Sequence, residues 1–135
     1  ELVPLEYITE LVLGNYWENL NLRERKIFER DVKNSLIEDY VSILAKMDEW
    51  ENIIVTVENK YSQIDNLADV KVIVSLKDDS SNATVTLNLV RKNSWKIYDL
   101  VYQSISILDI EKIGYDSKIK RHGIDQLIQK MLDRS

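Results

Sequence analysis

The first fifty residues repeat apolar positions with the period of an α-helix. Apolar residues recur every three or four positions from Pro4, which suits a first helical turn, to Gly14, which can end a helix. A long second helix is predicted to begin at Asn21, because Glu24 three residues later completes a capping-box pattern. This helix spans about seven turns, and its apolar stripe comprises Phe28, Val32, Leu36, Tyr40, Ile43 or Leu44, and Met47.

From Trp50 onward the period changes to two, which is typical of strands with one buried face. Four segments alternate in this way: Ile53–Val57, Val70–Leu76, Val85–Leu89 and Ile97–Val101. Turn-forming residues at Asp78–Asn82 and Asn93–Ser94 separate the later strands. An antiparallel meander is therefore the expected topology, with one apolar face.

After Ser106 the pattern returns to helix, with a break at Gly123 and a last helix from Ile124 to about Arg134. Helices, a curved antiparallel sheet of about four strands and further helices predict an α+β fold. The length of 135 residues is that of one domain, so residues 1–135 are predicted to share a single core.

Composition and charge exclude several classes of function. A net charge of −5 argues against nucleic-acid binding, which needs clustered cations. The chain has no cysteine, and no motif predicts a metal or a cofactor. The single histidine, His122, is interpreted as a cation at a helix end rather than as a catalytic group.

Five segments then carry a resemblance to a known family. They are Glu1–Pro4 (Glu-Leu-Val-Pro), Leu11–Trp17 (Leu-Val-Leu-Gly-Asn-Tyr-Trp), Arg25 with Phe28, the stretch Trp95–Ser106 and Gly123–Leu127. Their order and types resemble the MlaC, or toluene-tolerance Ttg2D, family of periplasmic phospholipid-binding proteins. Glu1 matches a point well inside the family pattern, so we expect the N-terminal helices that precede it there to be missing here. Ser104 stands where the family usually has Gly.

The resemblance implies a cone-shaped fold like that of nuclear transport factor 2, with the long helix packed on the sheet. It also implies a non-enzymatic periplasmic carrier without a cofactor, which holds phospholipid as cargo in an apolar cavity. The implied partners are the inner-membrane ABC transporter complex and the outer-membrane lipoprotein complex of a lipid transport system. Membrane contact is expected only through those partners.

The cavity is predicted to lie between the helical stripe and the strand stripes. Its predicted lipid-binding residues are Leu36, Tyr40, Val72, Val74, Val85, Leu87, Ile97 and Val101. The last strand offers a second apolar stripe at Tyr98, Leu100 and Tyr102, so the sequence leaves the register of this strand open.

Asp99 is the one acidic residue within the apolar strand pattern, and two roles are open to it. The resemblance favours a structural role, in which its carboxylate bonds the turn into the helix at Ser106. As an alternative, Asp99 could act as the general base of a small cone-fold enzyme on an apolar ligand. A third hypothesis is an interaction domain whose sheet face is filled by its own side chains.

Overall fold

The computed structural model describes residues 3–45, 53–76 and 82–134. Its helices are α1 (Leu5–Leu13), a 3₁₀ helix (Gly14–Asn19), α2 (Leu22–Ala45), α3 (Ile107–His122) and α4 (Ile124–Asp133). The predicted helices are thereby confirmed, including the break at Gly123. The last predicted stripe residue of the long helix, Met47, lies outside the described residues.

The start of α2 is fixed by reciprocal hydrogen bonds. The backbone N–H of Glu24 donates to Asn21 Oδ1 at 2.8 Å, and the backbone N–H of Asn21 donates to Glu24 Oε1 at 2.9 Å. This is the capping box that the sequence predicts. It satisfies two backbone donors that the helix itself leaves without partners.

The strands form an antiparallel meander in which spatial order follows chain order. They are β1 (Ile53–Ile64), β2 (Leu67–Leu76), β3 (Asn82–Lys92), β4 (Ser94–Tyr102) and β5 (Ile105–Ser106). The predicted topology is confirmed and gains β5, a two-residue strand that the sequence pattern did not predict. Of the predicted turn at Asp78–Asn82, residues 78–81 lie outside the described part of the chain, and Asn82 already belongs to β3.

The hairpin between β4 and β5 is a two-residue turn with an unusual backbone. Gln103 and Ser104 have φ angles of 52° and 66°, so both lie in the left-handed region. A two-residue hairpin turn with both central residues at positive φ matches the twist of the flanking strands. Ser104, where the family usually has Gly, therefore holds a conformation that glycine adopts without steric cost.

A large cluster of buried apolar residues lies among the helices. Phe28 and Val32 of α2 are fully buried, and Tyr115 of α3 packs its ring edge against Phe28. We call this cluster the helical core. Its buried members are Ile8, Val12, Leu13, Trp17, Leu20, Ile27, Phe28, Val32, Leu36, Ile107, Leu108, Tyr115, Ile119, Leu127, Ile128 and Met131.

Across the described residues, the helices meet the sheet mainly at one side. α3 packs on β4 and β5, α1 touches β4, and α2 packs against α1, α3 and α4. Tyr98 and Leu100 of β4 join the sheet to the helical core. The helices described here are all too short or too polar to cross a bilayer.

Candidate functional site

The register of β2, β3 and β4 aligns apolar side chains on one face of the sheet. Val72 lies opposite Val85, which lies opposite Tyr102, while Leu87 lies opposite Leu100. Residues directly opposite each other across antiparallel strands share a face. We call this set the apolar sheet face; it comprises Ala68, Val70, Val72, Val74, Ala83, Val85, Leu87, Leu89, Ile97, Leu100 and Tyr102.

Ala68, opposite Leu89, is buried, and every other member of the apolar sheet face is partly exposed. Phe28 and Val32 in the helical core, in contrast, have no accessible surface. The difference follows from the contacts between the layers, because the helices reach the sheet mainly through β4 and β5. The sheet therefore presents an apolar surface that its own helices do not fully cover.

The opposite face of the same strands is more polar, although Ile73 and the fully buried Val90 also lie on it. Asp69, Lys71 and Thr84 alternate with the apolar residues and are exposed to solvent. This contrast between two faces of one sheet is what alternation of period two predicts when only one face meets an apolar environment. The continuous apolar surface thus lies on one side of the sheet.

Val101 lies on the polar side, which corrects the predicted lining. It pairs with Thr86, one position out of phase with Leu87. The reason is a β-bulge, because Asn88 pairs with Asp99 while Leu89 pairs with Ile97, which leaves Tyr98 as an extra residue in β4. The bulge shifts the alternation of β4 by one residue. Ile97 therefore lies on the apolar sheet face before the bulge, and Leu100 and Tyr102 lie on it after the bulge.

The other predicted residues divide between two environments. Val72, Val74, Val85, Leu87 and Ile97 share the apolar sheet face. The two residues predicted on the long helix belong to a different environment, since Leu36 is buried in the helical core and Tyr40 packs against it while partly exposed. The register therefore brings five of the eight predicted residues onto one surface.

Two apolar residues of α2 were not among those predicted. Ile37 and Val41 are 49% and 57% exposed and are four residues apart, so they lie on the same side of the helix. A signal for them exists in the sequence, because both are aliphatic and each follows a predicted stripe residue by one position. We call this pair the α2 apolar patch.

Asp99 is buried, and its carboxylate is occupied by hydrogen bonds. Oδ1 accepts from the backbone N–H groups of Leu100 at 2.8 Å and Leu108 at 3.0 Å. Oδ2 accepts from the Ser106 hydroxyl at 2.6 Å and from the Asn88 amide at 3.4 Å. These partners hold the end of β4 to the first turn of α3, which is the structural role that the resemblance implies.

Burial and neighbouring negative charges at the junction of α2, α3 and β4 favour the neutral form of the Tyr40 hydroxyl. Burial, reinforced by the negative charges of Asp99, Asp39 and Glu111, raises the pKa of Tyr40 above its ordinary value. The hydroxyl of Tyr40 is therefore a neutral hydrogen-bonding group beside apolar surface. In the described part of the chain, no three His, Asp or Glu side chains are placed to hold a metal ion.

Comparison with known proteins places this geometry in context. Residues 1–133 match the family model described as MlaC protein. The chain is 25% identical over 134 residues to the intermembrane phospholipid transport system binding protein MlaC of Haemophilus influenzae. That alignment covers 96% of this chain and 61% of the relative, so the chain spans less than two thirds of the relative's length.

A solved structure shows the same fold. The phospholipid-binding protein of Ralstonia solanacearum, solved in complex with a phospholipid, superimposes with a TM-score of 0.78 at 20% sequence identity. The match covers 98% of this chain and 73% of that protein. The α+β arrangement of helices and open antiparallel sheet is therefore shared. Because the family model spans nearly the whole chain, this chain belongs to the MlaC family.

Proposed function

We propose that this chain is a periplasmic phospholipid carrier that holds acyl chains against its apolar sheet face. The observation that carries the proposal is that this face is continuous across β2, β3 and β4 yet only partly covered by the helices. The MlaC family consists of non-enzymatic lipid-binding transport proteins. An apolar face that the protein's own helices leave partly open is the surface such a protein needs.

The energetics of the cargo favour a surface of this kind. Two acyl chains of about thirty methylenes in total would cost on the order of 25 kcal/mol to expose to water, at roughly 0.8 kcal/mol per methylene. A carrier must therefore cover most of both chains. Small β-branched side chains such as Val72, Val74 and Val85 keep the face apolar while leaving room above it for a second apolar layer.

Headgroup discrimination is expected to be weak. Tyr102 is the one member of the apolar sheet face with a polar side-chain group. Specific recognition of a headgroup would need several placed polar groups converging on it. The carrier is therefore expected to select phospholipids by their acyl chains.

We further propose that the chain exchanges lipid with the inner-membrane ABC transporter complex and the outer-membrane lipoprotein complex of an intermembrane transport system. The name of the Haemophilus influenzae relative supports membership in such a system. A net charge of −5 disfavours direct adsorption to anionic lipid, which fits loading and unloading through protein partners.

Particular structural features disfavour the other two hypotheses, an enzyme that uses Asp99 and an interaction domain with a self-filled sheet face. An enzyme using Asp99 as a general base needs a free lone pair, whereas both carboxylate oxygens already accept hydrogen bonds from backbone and side-chain donors. A domain with a self-filled sheet face would bury Val72, Val85 and Leu87, which instead keep accessible surface.

Lipid analysis of the purified chain tests the proposal. Native mass spectrometry should show a population heavier by one diacyl phospholipid, and solvent extraction should release that lipid. The chain would be carried through the same analysis after incubation with phospholipid vesicles. A chain that remains lipid-free both as purified and after incubation would contradict the carrier function.

A further inference from the structure

The interface between α2 and α3 contains a buried cluster of carboxyl groups. Glu111 of α3 is only 5% exposed and accepts a hydrogen bond from the Ser35 hydroxyl of α2 at 2.7 Å. One helical turn further along α3, the Tyr115 hydroxyl donates to Asp31 of α2 at 2.5 Å. In both of these hydrogen bonds the donor is a neutral hydroxyl.

Asp39 of α2 adds a third carboxyl group to this cluster. It lies against the Glu111 carboxyl, close enough for a hydrogen bond between the two groups. Its Oδ2 atom is buried, and no donor within the described residues reaches it. Two ionised carboxylates in contact, away from water, would repel each other and leave an acceptor without a partner.

A proton between the two groups resolves both problems, since a protonated carboxyl can donate to its neighbour. We propose that Glu111 and Asp39 share one proton across the α2–α3 interface, and that loss of this proton weakens the packing of α2 on α3. The arrangement would make the docking of the long helix sensitive to pH.

The charges around the pair come from all the packed elements. On α2, Asp31 adds a negative charge and accepts a hydrogen bond from the Tyr115 hydroxyl. On β4, the negative charge of Asp99 contributes to the raised pKa of Tyr40. On α3 itself, the cation of Lys118 favours the ionised form of Glu111. The positive charge of Arg134, which follows α4, opposes the rise in the pKa of Tyr115.

The balance of these effects favours the protonated form of Glu111. Burial and the contact with Asp39 raise its pKa from 4.5 to about 7, against the smaller opposing effects of Ser35 and Lys118. A groove of about 330 Å³ between α2, α3 and α4 is lined by Asp31 and by Ser35, whose hydroxyl donates to Glu111.

The sign of the pH dependence follows from the direction of this shift. Between pH 4.5 and about 7 the unfolded chain has released the proton that the folded chain still holds. The contribution of Glu111 to stability is therefore greatest below pH 4.5, declines through this window and is constant above it. The resulting change in the unfolding equilibrium is on the order of 100-fold.

The test uses the whole chain and two readouts. Carbon-detected NMR of the Glu111 side-chain carboxyl should show a titration midpoint near 7. Urea unfolding, measured from about pH 4 to about pH 8, should show a falling midpoint that Glu111→Gln abolishes. A glutamine amide donates to Asp39 at every pH and still accepts from Ser35, so this variant should be the more stable protein at pH 8.

Two further variants complete the design. Asp39→Asn supplies a permanent donor to Glu111 and should lower the titration midpoint of its carboxyl. Glu38→Gln removes the neighbouring exposed carboxyl of α2 and should keep the wild-type midpoint and the wild-type pH dependence. The proposal is overturned if Glu111 titrates at its ordinary value of 4.5, or if Glu111→Gln unfolds with the pH dependence of the wild type.

Discussion

The carboxylate of Asp99 accepts a 2.6 Å hydrogen bond from the hydroxyl of Ser106, seven residues later in the chain. That hydroxyl in turn accepts from the backbone N–H of Asp109 at 3.1 Å, so it serves both as donor to the strand and as N-cap of α3. The two side chains join the sheet and the helices at the point where the chain passes between them.

Substitution of Asp99 should separate structural from catalytic roles. Asp99→Asn can keep most of the hydrogen bonds and should retain both the fold and bound lipid. Asp99→Leu leaves buried donors without partners and should cost about 1–3 kcal/mol of unfolding free energy in urea denaturation. Asp69 is an exposed carboxylate of the same sheet, and Asp69→Leu provides the control. Loss of a measurable turnover in folded Asp99→Asn protein would instead favour an enzyme.

The turn between β4 and β5 offers a stabilising substitution. Ser104→Gly removes a side chain from a position at φ 66° and should raise the unfolding free energy by about 1 kcal/mol. Ser62→Gly, within β1, is the matched control and should lower it by roughly 0.5–1 kcal/mol, because glycine weakens strands. Equal destabilisation by the two changes, measured by urea denaturation, would argue against strain at Ser104.

Filling the apolar sheet face distinguishes a lipid cavity from a packed core. Leu87→Trp should displace acyl chain, so lipid content should fall while the melting temperature of delipidated protein changes little. In a close-packed core the same change would cost roughly 1–3 kcal/mol by overpacking. Thr84→Trp, an exposed position on the polar side of β3, should leave lipid content unchanged. Lipid would be quantified by mass spectrometry after solvent extraction.

The α2 apolar patch is expected to contact the cargo. Replacing both Ile37 and Val41 by Ser should reduce lipid content, while unfolding free energy changes by no more than about 0.5 kcal/mol per site, because both residues are exposed. Ile113 of α3, which is 71% exposed, supplies the control substitution Ile113→Ser. If all three serines lowered lipid content to the same extent, a role specific to this patch would be ruled out.

Much of the fold could be predicted from local patterns because its determinants are local. The capping box at Asn21 and Glu24 and the break at Gly123 depend on a few adjacent residues, and so does the alternation within β2 and β3. The same holds for the apolar sheet face, whose members at Val72 and Val85 follow from the period of two.

The features that the sequence left open depend on distant partners. β4 carries apolar residues in both phases of its alternation, so the bulge at Tyr98 and the placement of Val101 emerge only once β4 pairs with β3. Burial of Glu111 likewise depends on a contact with Ser35, which lies 76 residues away in the sequence. No periodic pattern within α3 indicates that partner.

The one-sided junction between helices and sheet has a consequence for how cargo of different size is accommodated. Because the layers adjoin mainly along β4 and β5, the space above β2 and β3 depends on the angle between the helical layer and the sheet. If cargo lies on the apolar sheet face as proposed, a wider angle would admit a bulkier lipid without repacking the buried Phe28 or Val32. The size of the cargo would then set how far the helical layer and the sheet stand apart on the side away from β4 and β5.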